Sequence, residues 1–215
     1  MDCMVNVDFE TGELNWIIGD PEGWPKEWTD RYFFRPVGND FQWQYEQHAC
    51  LITPDGDVMC FDNHHWASKN PEHYRKAKDN FSRGVGYRIN TRDMTIRQIW
   101  QYGQDRGAEF FSPYISNVEY YNEGHYMVHS GGIAYNKDGE ISESLGAFEM
   151  NMGGRLEAVT VEICDNKKMM ELHTAGNYYR AEKMKLYTEG SNLEMGMGSL
   201  LGHMGVTREF DTDVP

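Results

Sequence analysis

The chain has 215 residues and a formal net charge of −14, with 20 Lys and Arg against 34 Asp and Glu. This length allows one domain, or part of a larger one. No basic run offers a face to nucleic acid, and no apolar stretch approaches the ~20 residues that span a bilayer.

Hairpins recur along the chain and predict an all-β fold. The first lies at 5–17, where apolar and polar residues alternate on both sides of a turn at Gly12. The same pattern returns at 87–100 and at 148–161, where an apolar–x–apolar–Asn unit precedes the turn. In the last copy, this reading makes Phe148–Asn151 a strand.

A second type of hairpin precedes the two later copies. It runs through 48–61 and 116–128, and each turn ends in a glycine, Gly56 or Gly124. The long connection between the two hairpin types in the first copy allows a short helix at 70–79, because Pro71 suits a first helical turn. Fixed-period similarity of this kind indicates a repeat architecture.

One hairpin of each type supplies four antiparallel strands, which make one blade of a β-propeller. The sequence therefore predicts a half blade at 5–17, whole blades at 46–102 and 112–164, and a C-terminal strand region at about 176–188. Propellers close with ~4–8 blades, so we expect a partial β-propeller of about two and a half blades. Such an arc would be part of a larger ring.

The cysteines and the paired histidines give no metal site by spacing. None of the four cysteines forms a CxxC pair. Cys50 and Cys60 flank a short turn, and two free, half-buried thiols on neighbouring strands are the simpler interpretation, with a bond between them left open. His64 and His65 are predicted to lie in a surface loop, since no carboxylate or Cys stands at ligand spacing.

Six segments of the chain form a pattern that can be compared with known families. They are 43–49 (WQYEQHA), 60–63 (CFDN), 81–90 (FSRGVGYRIN), 99–103 (IWQYG), 111–116 (FSPYIS) and 178–181 (YYRA). In their order and spacing they resemble the C-terminal half of the bacterial arylsulfate sulfotransferases. The resemblance implies a six-bladed propeller of which this chain is the C-terminal part. It also implies a periplasmic or secreted location, although the first residues show no signal peptide.

The resemblance implies that His48 is the residue that carries the sulfuryl group. An aryl sulfate donates the group to the imidazole, and a phenolic acceptor then removes it, with no nucleotide or other cofactor. Dividing one displacement into two is nucleophilic catalysis of the ping-pong type. A neutral imidazole is nucleophilic near pH 7, which suits His to the role.

Three further residues are candidate substrate contacts. Arg83 could offset negative charge near the site, or it could be a surface residue paired with one of the acids. Ser116 and Tyr179 fall where the family places contacts near the pocket mouth, whereas strand polarity and core packing are their structural alternatives. Asn63 either caps a turn or lines the pocket, and the turn is the simpler interpretation.

One departure from the family bears on activity. Its other catalytic residues come from upstream blades that have no counterpart in this sequence. We therefore expect little turnover from the chain alone, and either upstream blades or a homo-oligomer as its partner. The alternatives are a non-catalytic propeller fragment that serves as a binding or interaction module, and a carbohydrate-binding or lyase propeller. A His48 that shares a centre with Arg83 and Tyr179 would favour the enzyme.

Overall fold

Strands dominate the computed structural model, which describes residues 2–184. The chain groups into a compact unit, Met1–Glu182, and a second unit, Lys183–Pro215, of which only residues 183 and 184 are described. The strands are β1 (Cys3–Val7), β2 (Leu14–Gly19), β3 (Arg35–Pro36), β4 (His48–Ile52), β5 (Val58–Asp62), β6 (Arg83–Asn90), β7 (Thr95–Tyr102), β8 (Asn117–Asn122), β9 (His125–Tyr135), β10 (Arg155–Cys164) and β11 (Lys167–Ala175). The helices are α1 (Lys26–Tyr32) and α2 (Gly146–Asn151), with short 3₁₀ helices at Pro71–His73, Ala77–Asp79 and Gln104–Phe110.

These strands form three sheets. The first holds β1 and β2, the second has the order β3-β7-β6-β5-β4, and the third has the order β11-β10-β9-β8. All neighbours pair antiparallel except β3 and β7, which are parallel. The all-β prediction is confirmed, with sheets of four and five strands. The assignment of these sheets to propeller blades stays a prediction.

The five-stranded sheet is buried on both faces, which β5 shows most clearly because all of its residues are buried. Met59 and Phe61 point into a core shared with the four-stranded sheet. Val58 and Cys60 point into a second core, shared with β1 and β2. The side chains of β5 point alternately to the two faces of the sheet, so this one strand contributes to both cores.

Both glycine turns take the conformation that their sequence predicts. Gly56 has φ +83° and Gly124 has φ +79°, in the left-handed region that glycine enters without steric cost. Asp57 N–H closes the first turn by donating to Thr53 Oγ1 at 3.1 Å. The helix allowed at 70–79 is present as two 3₁₀ turns, and the first of them begins at Pro71.

The predicted strand Phe148–Asn151 is wrong, because these residues belong to helix α2. The buried residues of α2 are Gly146 and Glu149, three positions apart, and Glu149 accepts a hydrogen bond from the Ser142 hydroxyl. An apolar–x–apolar unit suits either element when it is this short.

The ends of the third sheet also differ from the expected boundaries. The third sheet takes β11 as its fourth strand and so reaches Ala175, beyond the expected end at residue 164. Of the expected strand region 176–188, residues 176–184 are irregular, and the remainder lies outside the described residues.

Two further features concern residues 2–184 alone. Within that range no helix has the length and apolar character to cross a membrane. The same residues contain no group of three or more His, Cys, Asp or Glu side chains placed to hold a metal ion.

Candidate active site

His48 is the first residue of β4 and lies opposite Phe61 of β5. Phe61 belongs to the core between the two large sheets, so the backbone that carries His48 is anchored on well-packed structure. The imidazole itself is half-buried. A rigid backbone with a partly accessible ring is the arrangement that a nucleophile requires.

The contacts of His48 determine which ring nitrogen carries the proton. Nδ1 lies 2.7 Å from Asn63 Oδ1 and 3.2 Å from the carbonyl oxygen of Glu46. Both are acceptors, so Nδ1 must be the donor, and in the neutral ring Nε2 then holds the lone pair. No described residue forms a hydrogen bond with Nε2.

The orientation of the Asn63 amide supports this assignment. Its Nδ2 donates to the carbonyl oxygens of Ser112 at 2.7 Å and Ile115 at 3.0 Å. Turning the amide over would set Oδ1 against two carbonyl oxygens, so Oδ1 must face His48. Asn63 is fully buried, and it therefore both lines the site and ties β5 to the segment that precedes β8.

The same network reaches Ser116 and Tyr179. Ser116 Oγ lies 3.0 Å from Ser112 Oγ and accepts from Gly131 N at 2.9 Å. Ser116 N donates to the Tyr179 carbonyl oxygen at 3.2 Å. The Ser116 hydroxyl thus faces protein groups, whereas the Tyr179 ring is 63% exposed. Of the two, the tyrosine ring has the surface that a substrate could contact.

The chain around Tyr179 crosses the third sheet as a strap, defined here as residues 176–182. His129 Nε2 donates to the Tyr178 carbonyl oxygen at 3.0 Å, and its Nδ1 accepts from Thr160 Oγ1 at 2.8 Å. Asn117 binds the backbone of Ala181 through both amide atoms. These contacts hold the strap beside the network of His48.

Arg83 is buried, so the interpretation as a surface residue is wrong. The side chains of Arg83 and Asp62 are both 0% exposed, and Nε donates to Asp62 Oδ2 at 2.9 Å. The two Nη atoms donate to Gln98 Oε1 at 3.2 Å and to the Gln42 carbonyl oxygen at 3.1 Å. Its charge is balanced by Asp62, and no hydrogen bond joins it to His48.

Asp62 connects this ion pair to the backbone near His48. Its Oδ1 accepts from the backbone N–H groups of Tyr45 and His64, both at 2.9 Å. Those residues belong to the segments that contribute Glu46 and Asn63 to the imidazole of His48. The buried pair therefore fixes the backbone of both segments that contact the His48 imidazole.

His64 is also buried, which corrects the prediction of a surface loop. It is 4% exposed, stacks on Phe81 with ring centroids 4.1 Å apart, and contacts Asn80 Oδ1 through Nδ1 at 3.0 Å. Burial lowers the pKa of His64, because the charged form loses its hydration.

His65 and Glu46 form a pair next to His48. His65 Nδ1 lies 3.2 Å from Glu46 Oε2, and this hydrogen bond lowers the pKa of Glu46. His65 Nε2 is buried and has no hydrogen-bond partner among residues 2–184, and the His65 ring stacks on Trp66. Glu46 thus holds one histidine with its carboxylate and the other with its backbone.

Backbone strain concentrates around this network. Within residues 2–184, ten non-glycine residues have positive φ, and seven of them lie in the segments that surround His48. Such conformations cost on the order of 1–3 kcal/mol each and persist where surrounding contacts enforce them. The seven are Glu46, Ala49, His64, Trp66, Ala67, Ile115 and Ser116.

A family model described as Arylsulfotransferase (ASST) matches residues 1–187. The chain belongs to the arylsulfotransferase family. Two relatives named Arylsulfate sulfotransferase AssT are similar to it. The protein of Escherichia coli O6:H1 (strain CFT073) is 29% identical over 136 residues, 56% of this chain and 22% of that protein. The Lelliottia amnigena protein is 31% identical over 126 residues, 50% of this chain and 20% of that protein. The matches thus cover about a fifth of each relative.

Sequence reasoning gave too little weight to one residue of this candidate site, Asn63, and missed another, Glu46. Asn63 was interpreted mainly as a turn residue, and Glu46 was not singled out. Only their positions in the sequence could have pointed to them. Glu46 stands two residues before His48, and Asn63 is the last residue of the Cys60–Asn63 segment that resembles the family. Only the pairing of β4 with β5 brings both to the imidazole.

Proposed function

We propose that this chain carries the nucleophile for transfer of a sulfuryl group from an aryl sulfate ester to a phenol, with His48 as the sulfohistidine. The supporting observation is the pair of acceptors within hydrogen-bond distance of Nδ1, from which we infer that the proton lies on Nδ1 and the lone pair on Nε2. The substrate class follows the family and the two AssT relatives.

In the first step, Nε2 attacks the sulfur of the aryl sulfate. The N–S bond forms as the S–O bond to the aryl group breaks, and the bonding electron pair leaves with the phenolate oxygen. The ring becomes positively charged, and its N–H at Nδ1 then donates more strongly to Asn63 Oδ1. A hydrogen bond that strengthens as charge develops lowers the barrier.

In the second step, an acceptor phenol that has lost its proton to solvent or a base attacks the same sulfur. The S–O bond forms and the S–N bond breaks, so the electron pair returns to Nε2 and restores the neutral ring. Because Asn63 and the Glu46 carbonyl hold Nδ1–H throughout, each cycle ends in the tautomer that begins the next.

Stabilising the sulfuryl oxygens needs donors beyond those that contact His48. Among the described residues, no cationic side chain forms a hydrogen bond with His48, and the charge of Arg83 is offset by Asp62. We therefore propose that preceding blades of the propeller supply the cations that stabilise the sulfuryl oxygens. Within this chain, the exposed Tyr179 ring is the proposed contact for an aryl group, with the Arg180 guanidinium 5.7 Å from that ring.

The test combines the chain with the preceding blades, in one polypeptide or as two. The assembly is incubated with 4-nitrophenyl sulfate and a phenol, and released nitrophenol is followed by absorbance. We expect the peptide that contains His48 to gain the mass of one SO₃ group when the acceptor is withheld. His48→Ala should abolish transfer and labelling, whereas His73→Ala, at an exposed position, should leave both unchanged.

Transfer that persists in His48→Ala would refute the assignment. If aryl sulfate binds to the assembly but neither nitrophenol nor labelled His48 is formed, the binding-module interpretation replaces the enzyme.

A further inference from the structure

The strand pair β4–β5 contains a bulge directly after His48. His48 lies opposite Phe61, but the register has shifted by one residue at the next pair along the strands. Ala49 and Cys50 therefore both face the single residue Cys60. Ala49 takes φ +51° to accommodate the extra residue. The bulge thus brings two cysteines opposite each other beside the proposed nucleophile.

Alternation along the strands puts the two sulfur atoms on the same face. Leu51 and Met59 are directly opposite and both pack in the core between the large sheets. Cys50 and Cys60 are their chain neighbours, so both side chains point to the other face. The register thus sets the two thiols side by side on that face, where the Cys60 S–H is placed to donate to Cys50 Sγ.

The environments of the two thiols differ in a way that gives each a separate role. Cys50 is exposed, and Cys60 is fully buried. The hydrogen bond from Cys60 lowers the pKa of Cys50, and the same bond together with burial raises the pKa of Cys60. A thiol that is accessible and readily ionised is the one that attacks a disulfide.

We propose that Cys50 and Cys60 form a reversible disulfide, with a small-molecule disulfide such as oxidised glutathione as the oxidant. The Cys50 thiolate attacks one sulfur of the oxidant, whose S–S bond breaks and releases one thiolate. Cys60 then loses its proton and attacks Cys50 Sγ, which expels the second thiolate. Two protein thiols and one disulfide thus become one protein disulfide and two small thiols.

The bond would lock the bulge that follows His48 and would close the hairpin across Gly56. A disulfide that closes a loop of this size lowers the conformational entropy of the unfolded chain, which should raise the melting temperature by about 5 °C. The inference does not rest on sulfuryl transfer, because it concerns only the thiols and their exchange chemistry.

The test uses the 215-residue chain in glutathione buffers of increasing oxidised fraction, with acid quenching, alkylation and peptide mass analysis. We expect a cross-linked Cys50–Cys60 peptide, reversal by dithiothreitol, and the higher melting temperature in the oxidised form. Cys60→Ala should instead accumulate glutathione on Cys50. Cys50→Ser should show neither product, and Cys164→Ser, in a different sheet, should behave as wild type.

Cys60 belongs to a core, so its replacement could disturb folding; the wild-type result alone therefore has to decide the matter. A wild-type chain that keeps glutathione on Cys50, that pairs Cys50 with Cys3 or Cys164, or that stays fully reduced in oxidised glutathione would overturn the proposal.

Discussion

Replacing Arg83 with methionine tests whether this arginine supports the fold or contacts substrate. Arg83→Met keeps much of the side-chain length but leaves the buried Asp62 carboxylate without its cation. Breaking one side of a buried ion pair costs about 3–5 kcal/mol. Asp62 keeps two backbone N–H donors, so we expect the lower end, about 3 kcal/mol of unfolding free energy.

Urea unfolding followed by tryptophan fluorescence measures this change. With a typical slope near 2 kcal/mol/M, a loss of ~3 kcal/mol lowers the unfolding midpoint by about 1.5 M. Arg88→Met is the matched control, since Arg88 pairs with Asp57 but its side chain is 63% exposed. An exposed pair is worth under ~1 kcal/mol, so the control should move the midpoint by less than ~0.5 M.

A double variant separates the charge effect from lost packing. Asp62→Asn combined with Arg83→Met removes both charges, and its midpoint should lie above that of Arg83→Met alone. If Arg83→Met shifts the midpoint no more than Arg88→Met, the buried pair does not have the role assigned to it. Weaker binding of aryl sulfate without loss of stability would then favour the substrate contact that the sequence suggested.

Three further outcomes follow from the structure. Burial lowers the pKa of His64 and of His129 below the usual ~6.5 in the folded chain. As pH drops below about 6.5, the unfolded chain therefore binds more protons than the folded chain, and the free energy of unfolding decreases. His64→Gln should flatten the melting temperature between pH 7.5 and 5 relative to wild type, and the exposed His73→Gln should not; equal slopes in all three would contradict the burial argument. Asn63→Ala removes three hydrogen bonds and should cost about 2–4 kcal/mol in urea unfolding, with a loss below ~0.5 kcal/mol as the contrary result. Exposed apolar side chains on β11 and α2 should make the isolated chain self-associate, and a monomer at every concentration in analytical ultracentrifugation would disprove this.

The parts of the fold that local chemistry determines could be predicted from the sequence. Gly56 and Gly124 mark their turns because the positive φ of each position favours glycine. Strand alternation around them identified β4, β5, β8 and β9. His48 stood out through the segments that resemble the family, not through its own chemistry.

Features that depend on distant partners could not be predicted. Phe148–Asn151 fits a strand as well as a helix, and the contacts that favour the helix involve residues outside the segment. One of them is Gly146, where an added Cβ would clash with Tyr114 Oη. Asp62 and Arg83 are opposite each other in the pairing of β5 with β6, but a long loop separates them in the chain. No local pattern reveals that register, so the sequence left both interpretations of Arg83 open and did not predict its burial.

Sulfuryl transfer through His48 requires that Asn63 and Glu46 hold the His48 proton on Nδ1 and leave Nε2 unprotonated. Long-range ¹⁵N–¹H NMR correlation on the ¹⁵N-labelled chain at pH 8, with His48→Ala to assign the signal, measures this directly. We expect a protonated Nδ1 and an unprotonated Nε2 for His48, and a shift away from this tautomer in Asn63→Ala. A wild-type His48 ring that carries its proton on Nε2 would contradict the proposed mechanism, because Nε2 would then have no lone pair with which to attack the sulfur.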